Sequence, residues 1–124
     1  MELTANHYFK IASKKLQEAN EELYKNGSGF DKKKVCKNTH IAIENYLLGF
    51  LVYHKITPND ESLEKMFEQC VLIDVHFNKI DFKNVICKKD DSLFLKCDDP
   101  RFITNCFETV DNIDTYFRRI NILN

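Results

Sequence analysis

Apolar side chains recur at every third or fourth position along four stretches of this 124-residue chain. Positions three or four apart lie on the same face of an α-helix, so each stretch predicts a helix with one buried face. The clearest stretch follows Asp99-Pro100, which predicts an N-cap and then proline at the first helical position. The apolar stripe of this last helix consists of Ile103, Cys106, Val110, Ile113, Phe117 and Ile120.

The same spacing predicts three earlier helices. The first runs from about Leu3 to Tyr24 and ends before Asn26-Gly27-Ser28-Gly29, whose glycines accept the left-handed conformation that closes a helix. The second runs from about Asp31, its N-cap, to Lys55, and its wide apolar arc predicts that it is the central helix. The third runs from about Glu61 to Phe77, with Asp74 as the one polar residue on its apolar stripe.

Four helices joined by short breaks predict an all-α fold, in which residues 1–124 form one domain. The simplest packing is an antiparallel, up-and-down bundle of four or five helices. The 3 glycines and 2 prolines are too few for the many tight turns of a β-sandwich or barrel. Residues 78–99 stay open between a short helix near Ile80, Val85 and Ile86 and an extended piece or packed loop at Ser92 to Lys96.

The charge balance bears on the class of partner. Lys and Arg number 18 and Asp and Glu 19, for a net charge of −1. A domain that coats nucleic acid usually has a clear basic excess, because its affinity comes from neutralising phosphates. Near-neutrality therefore argues against non-specific coating of DNA or RNA and leaves a local basic patch open.

The number of cysteines and the length of the apolar runs indicate the cellular compartment of the protein. Five cysteines, an odd number with no Cys-x-x-Cys pair, predict neither a disulfide framework nor a zinc knuckle. The N-terminus has no apolar stretch of the signal-peptide type. The longest apolar run, Tyr46 to Tyr53, is far shorter than the roughly 20 residues that cross a bilayer. We therefore expect a cytoplasmic protein without a membrane span.

His40 and Glu44 lie four positions apart and share one face of the central helix. This spacing is compatible with half of a metal site, but helical-bundle metal sites repeat a Glu-x-x-His pair, which this chain lacks. A polar hydrogen-bonded pair between helices is the favoured interpretation, and we predict no metal and no cofactor.

Two basic clusters are further binding candidates. Lys32, Lys33, Lys34 and Lys37 crowd the start of the second helix, where exposed amides and lysines together could hold a phosphate or other anion. An ordinary solvated basic turn is the favoured interpretation. Arg118 and Arg119 fall in the last turn of the last helix, where they complement the helix dipole, although guanidinium groups also suit RNA or nucleotide phosphate. No glycine-rich phosphate loop occurs.

The middle of the chain resembles a known family. Val35-Cys-Lys-Asn-Thr-His-Ile-Ala-Ile-Glu-Asn-Tyr-Leu-Leu-Gly-Phe-Leu, followed by Ser62-Leu-Glu-Lys-Met, is similar to the HEPN family (higher eukaryote and prokaryote nucleotide-binding domains). Tyr8-Phe9-x-x-Ala12 and Leu16-x-x-Ala19 resemble the first helix of that family. The resemblance covers about the first 75 residues and rests mostly on core positions, so it bears more on fold than on function.

The resemblance implies a bundle of four or five helices, like the substrate-binding subunit of a nucleotidyltransferase, and often a homodimer. Many members act beside a minimal nucleotidyltransferase as toxin and antitoxin. Catalytic members are metal-independent ribonucleases marked by an Arg, four to six residues, then a His. Here the arginines are Arg101, Arg118 and Arg119 and the last histidine is His76, so no arginine precedes a histidine and no catalytic residue carries over.

Three functions follow as hypotheses. The leading one is a non-catalytic HEPN-type bundle that binds a nucleotide, RNA or protein partner, with itself and a minimal nucleotidyltransferase among the candidates. The second is a divergent metal-independent ribonuclease that uses His40, Glu44 and a nearby Arg or Lys for general acid–base chemistry. The third is a plain adapter or scaffold bundle.

Overall fold

The computed structural model describes residues 4–24, 31–58, 63–79, 100–120 and 122. Within these ranges the chain forms four α-helices, Ala5–Leu23 (α1), Lys32–Tyr53 (α2), Leu63–Ile73 (α3) and Pro100–Arg119 (α4), together with a 3-10 helix, Val75–Lys79, and no strand. The all-α fold class predicted from the spacing of apolar residues is confirmed.

The first two helices begin at side-chain caps. The Oγ1 of Thr4 accepts the N–H of His7 at 3.4 Å, and α1 starts at the next residue. Asp31 is the N-cap of α2, as predicted, and its Oδ1 accepts the N–H of Lys34 at 3.2 Å. The predicted start of the first helix at Leu3 lies outside the described residues, as does the glycine run after Tyr24.

The end of α2 differs from the prediction. The helix was expected to reach Lys55, but it ends at Tyr53 because Lys55 adopts the left-handed conformation with φ 60°. The N–H of Ile56 donates to the carbonyl of Leu51 at 2.8 Å, and the N–H of Lys55 donates to that of Val52 at 2.9 Å. This pair of bonds is the Schellman motif, which satisfies the last carbonyls of a helix.

The end of α3 also differs from the prediction. A continuous helix to Phe77 was expected, but α3 ends at Ile73 and a 3-10 helix follows. The carboxylate of Asp74 accepts the N–H of His76 at 3.0 Å, which offers the backbone an alternative to the helical hydrogen bond. Phe77 remains fully buried despite the break. The alternatives for residues 80–99 lie outside the described residues, as does the predicted start at Glu61.

The last helix begins at Pro100, as predicted. On its predicted apolar stripe, Cys106, Val110, Ile113 and Phe117 are buried in the core, and the side chain of Ile103 lies outside the described residues. Ile120 is 36% exposed because the helix ends one residue before it.

All four helices contribute to one hydrophobic core, and α2 packs against each of the other three, which confirms it as the central helix. Three aromatic rings form the centre of this core. The ring centroids of Phe50 and Phe117 lie 5.4 Å apart, those of Phe50 and Phe77 4.8 Å apart, and those of Phe77 and Phe117 5.8 Å apart. Aromatic pairs at such separations stabilise a fold beyond the area that they bury.

The directions of three helices follow from contacts that α2 makes: Phe9 with Gly49 and Ser13 with Tyr46 on the α1 side, and Tyr46 with Asp114 and Phe50 with Phe117 on the α4 side. The order of the contacts reverses between α1 and α2, so these two helices are antiparallel. The contacts follow the same order along α2 and α4, so these two helices are parallel. Both relations fit an up-and-down bundle, whose complete order stays a prediction.

Gly49 lets α1 and α2 approach closely. A methyl group on Gly49 would lie 2.6 Å from a ring carbon of Phe9, which is only 3% exposed. Alanine gains about 1 kcal/mol of helix propensity over glycine. Displacing a packed ring typically costs about 1–3 kcal/mol. We therefore expect Gly49→Ala to lower the free energy of unfolding, measured by urea denaturation.

The control for Gly49→Ala is the same substitution in a Phe9→Leu background, where the ring that it meets is absent. Gly49→Ala should lower the free energy of unfolding less in the Phe9→Leu background than in the wild type, because the two substitutions are coupled through one contact. An equal loss in both backgrounds would contradict a clash with Phe9.

Lys55→Gly should stabilise the protein, because the left-handed conformation of Lys55 strains any residue with a Cβ atom. The expected gain in the free energy of unfolding is about 1 kcal/mol. The matched control is Lys55→Ala, which removes the same charge but keeps the Cβ atom. If both variants shifted the urea midpoint equally, the gain would not come from the backbone conformation.

Candidate functional site

An open groove of about 410 Å³ lies between α1 and α4 and is called here the α1–α4 groove. Its lining consists of Ser13, Leu16, Gln17, Asn20, Phe107, Asp111, Asp114 and Arg118. The residues from each helix are three or four positions apart and so share one face. The volume falls in the range of small-molecule sites, roughly 300–1,000 Å³.

One side of the groove is built from a polar network that joins three helices. The hydroxyl of Tyr46 on α2 donates to Asp114 Oδ1 on α4 at 2.7 Å, and Ser13 Oγ on α1 lies 3.5 Å from the same hydroxyl. Arg118 donates to both oxygens of Asp114, from Nε at 2.8 Å and from Nη2 at 3.3 Å. This two-pronged geometry is the strong form of an arginine–carboxylate pair and fixes the position of both side chains.

The electrostatics of this network favour binding over proton transfer. Burial is the largest influence on the Tyr46 phenol and raises its pKa. The hydrogen bond with Ser13 lowers the pKa, the hydrogen bond and charge of Asp114 raise it, and the pKa remains raised overall. The hydrogen bonds to Asp114 also raise the pKa of the Arg118 guanidinium. At neutral pH the phenol is therefore a neutral donor and the guanidinium stays charged, so neither acts as a general base.

Two further residues of the groove lining offer polar groups to a ligand. The side chains of Asn20 and Asp111 are exposed, and neither makes a hydrogen bond to another described residue. The amide nitrogen of Gln17 instead donates to Glu21 at 3.2 Å. Since two carboxylates and one guanidinium line the groove, its formal charge is one negative unit.

The predicted anion site at the start of α2 is occupied by carboxylates of the chain itself. Lys34 Nζ lies 3.5 Å from Oε1 of Glu22, which is 8% exposed, and Glu22 Oε2 accepts the N–H of Asp31 at 3.1 Å. Asp31 also accepts the N–H of Lys34. The carboxylates of Glu22 and Asp31 therefore occupy the position at the N-terminus of α2 where a phosphate would bind. Lys33 and Lys37 are exposed, which favours the solvated basic turn.

A second groove, of about 490 Å³, lies beside this point and is lined by Glu18, Glu21, Glu22 and Lys34. Three carboxylates outnumber one ammonium group there, so the potential repels an anionic ligand. This groove gives no support to phosphate binding by the lysine cluster.

The two arginines predicted as candidates have different surroundings. Arg118 lies in the α1–α4 groove on Asp114, whereas Arg119 is exposed in the last turn of α4. Cations at this end complement the helix dipole, as the capping interpretation predicts. The side chain of Lys32 lies outside the described residues.

His40 and Glu44 line neither groove. His40 is half-buried and Glu44 exposed, and the two interact through charge without a hydrogen bond between them. Burial lowers the pKa of His40 from 6.5, and the charge of Glu44 offsets part of that effect. His40 is therefore neutral at pH 7. Neither of these two grooves therefore brings the pair together with an arginine or a lysine.

A second tyrosine–aspartate pair ties the end of α3 to α4. The hydroxyl of Tyr116 donates to Asp74 Oδ2, and Asp74 Oδ1 lies 3.0 Å from Nδ1 of His76, whose side chain is 62% exposed. Burial raises the pKa of Asp74, but the hydrogen bonds from Tyr116 and His76 outweigh it and leave the pKa lowered. Burial and Asp74 together raise the pKa of Tyr116 to about 12. This pairing explains why one polar residue interrupts the apolar stripe of α3.

The cysteines correct one prediction. The odd number and spacing of the cysteines predicted no disulfide framework, but Cys36 is disulfide-bonded. The spacing of cysteines along the chain does not report which of them meet in the fold. Cys70 and Cys106 are buried, and burial raises the pKa of the Cys70 thiol to about 12, so this thiol is unreactive at neutral pH.

The described ranges also bear on metal binding and on membrane insertion. They contain no group of three or more His, Cys, Asp or Glu residues that could hold a metal ion. No helix among them is both long enough and apolar enough to cross a membrane.

Sequence reasoning found Arg118 but missed Ser13, Tyr46 and Asp114. The spacing of Asp114 and Arg118, four residues apart on one helix, is a local signal of an ion pair and was available. The bond between Tyr46 and Asp114 joins residues 68 positions apart, and no local pattern reports it.

Comparison with family models, with curated proteins and with solved structures finds no match to this chain. The resemblance to the HEPN family therefore stays a prediction. The fold and the groove stand on the structure alone.

The pKa of His40 predicts how stability depends on pH. Its folded pKa lies below the unfolded value near 6.5, so protonation favours the unfolded chain. The contribution of a neutral His40 is complete above pH 6.5 and is lost as pH falls from there towards the folded pKa. His40→Gln should therefore flatten the fall in urea midpoint between about pH 7.5 and pH 5.

The matched control is His7→Gln, which removes an exposed imidazole from α1. It should leave the pH dependence of the wild-type protein in place. A difference between His40→Gln and wild type that stayed constant across the range would contradict the assignment to His40.

Proposed function

We propose that this chain is a non-catalytic helical binding domain and that the α1–α4 groove is where it binds a nucleotide, RNA or protein partner. One observation carries the proposal. The groove combines a polar wall fixed by Tyr46, Asp114 and Arg118 with two exposed polar groups, on Asn20 and Asp111, that make no hydrogen bond to another described residue.

The fixed wall lowers the cost of binding. A ligand that enters a groove must immobilise the side chains that contact it, at about 0.5–1.5 kcal/mol for each flexible one. Arg118 and Asp114 are already held by two hydrogen bonds to each other and by Tyr46. A wall ordered in this way suits recognition.

The geometry supports binding over the ribonuclease alternative. That alternative needs His40 and Glu44 in one cleft with an arginine or lysine, and neither described groove contains them. In the α1–α4 groove Asp114 is paired with Arg118, and the buried phenol of Tyr46, which bonds to Asp114 without lining the groove, stays neutral.

Self-association and a nucleotidyltransferase partner belong to the same proposal and rest on the HEPN resemblance. A cytoplasmic location also belongs to it and rests on the hydropathy of the sequence. A homodimer has one further support. Leu72 is 87% exposed and Val75 66% exposed at the junction of α3 and the 3-10 helix, and neighbouring exposed apolar side chains are common at interfaces. Light scattering that found only monomer at high concentration would exclude the homodimer.

The groove is tested by NMR with labelled protein and four probes: adenosine and guanosine monophosphates, a short single-stranded RNA and the purified candidate nucleotidyltransferase. We expect at least one probe to shift the amide resonances of the groove residues and to raise the melting temperature, because a ligand of the native state stabilises it. Asp111→Ala should abolish both effects, whereas Glu108→Ala, an exposed acid on the same helix outside the groove, should not.

Two results would overturn the proposal. The first is the absence of any shift at the groove with all four probes. The second is cleavage of RNA by the purified protein that is lost in His40→Ala, which would favour the ribonuclease instead.

A further inference from the structure

We propose that the α1–α4 groove binds the guanine base of a nucleoside or nucleoside monophosphate and that Asp111 is the residue that selects it. This inference rests on the proposed function, since it names the ligand of the same groove. Three observations carry it: the unpaired carboxylate of Asp111, the unpaired amide of Asn20 and the charge of the groove.

The carboxylate of Asp111 determines which base edge fits. An ionised carboxylate only accepts hydrogen bonds, and its two oxygens can accept from two adjacent donors in one plane. Guanine presents such a pair, N1–H beside the N2 amino group. Adenine presents an acceptor, N1, beside its amino group, so one carboxylate oxygen would face a lone pair. Asp111 therefore favours guanine over adenine.

The other groove residues fit the rest of a purine. Asn20 comes from the other helix of the groove, and its amide nitrogen donates hydrogen bonds, which suits the O6 and N7 acceptors of guanine. Leu16 and Phe107 also line the groove, although Phe107 is only 9% exposed, and a base would contact the apolar atoms that they leave accessible. The volume of about 410 Å³ is sufficient for one nucleoside.

The charge of the groove limits the number of phosphates. Its two carboxylates outnumber its one guanidinium, which is already paired with Asp114. Glu18 and Glu21 line the neighbouring groove along α1 and add to the negative potential. Each added phosphate is therefore disfavoured, so the charge of the groove suits a neutral nucleoside best, a monophosphate less well and a triphosphate least.

The first test measures the affinity of the full chain for guanosine, inosine and adenosine by titration calorimetry at one salt concentration. Inosine differs from guanosine only by the missing N2 amino group, so it leaves one oxygen of Asp111 without its donor. We expect guanosine to bind at least about tenfold more tightly than either competitor, as for a hydrogen bond lost to a charged group. Equal affinities would overturn the inference.

The second test reverses the selectivity. In Asp111→Asn the amide offers one donor and one acceptor, which matches the N1–H and O2 of xanthine. Guanosine affinity should fall at least about tenfold while xanthosine affinity rises. Glu108→Gln is the matched control, because it removes an exposed carboxylate of α4 that does not line the groove. Unchanged guanosine binding by Asp111→Asn would overturn the inference.

The two proposals fail in different ways. If adenosine, RNA or a protein shifts the NMR resonances of the groove and guanosine does not, the guanine assignment is wrong and the groove remains a binding site. An arginine side chain presents a similar pair of donors, so N-acetylarginine amide is a further probe, and its preferential binding would overturn the guanine assignment. If no probe reaches the groove, both proposals fail.

Discussion

The contact between the ring of Phe9 and the bare backbone of Gly49 determines the geometry of the other contacts. It brings α1 so close to α2 that one helical turn further along Ser13 lies beside the hydroxyl of Tyr46. Tyr46 in turn reaches Asp114 on α4, and the groove opens along the line where α1 and α4 face each other. Close packing of this kind transmits position, because side chains in a dense core have few alternative arrangements.

Two tyrosine–aspartate pairs link neighbouring helices through a hydrogen bond to a partly buried carboxylate. Tyr46 binds Asp114 between α2 and α4, and Tyr116 binds Asp74 between α4 and the end of α3. In each pair the apolar ring packs into the interior while the hydroxyl satisfies a carboxylate that the fold partly removes from water. The carboxylate then holds a second group, Arg118 in the first pair. That second group faces the groove, which makes a structural pair part of a candidate binding site.

The residues singled out from the sequence differ in whether their structural role is local or depends on contacts with another helix. Arg118 was found from its position in the last turn, although its role on Asp114 depends on the fold. The lysines at the start of α2 were weighed as an anion site, but Glu22 from the neighbouring helix takes that place beside Lys34. Such an occupant comes from another helix, so no local pattern predicts it. The spacing of the cysteines likewise did not predict that Cys36 is disulfide-bonded.

Sequence alone determined the helices, because a period of three to four apolar residues and a few caps act within one turn of the chain. It placed the cap of α2 at Asp31 and the start of α4 at Pro100. It failed where a single residue left the helical conformation, at Lys55 and Asp74, since neither is a strong helix breaker. The groove and its polar wall were decided only by tertiary structure, because they are made of side chains from separate helices, and their meeting depends on how the whole core packs.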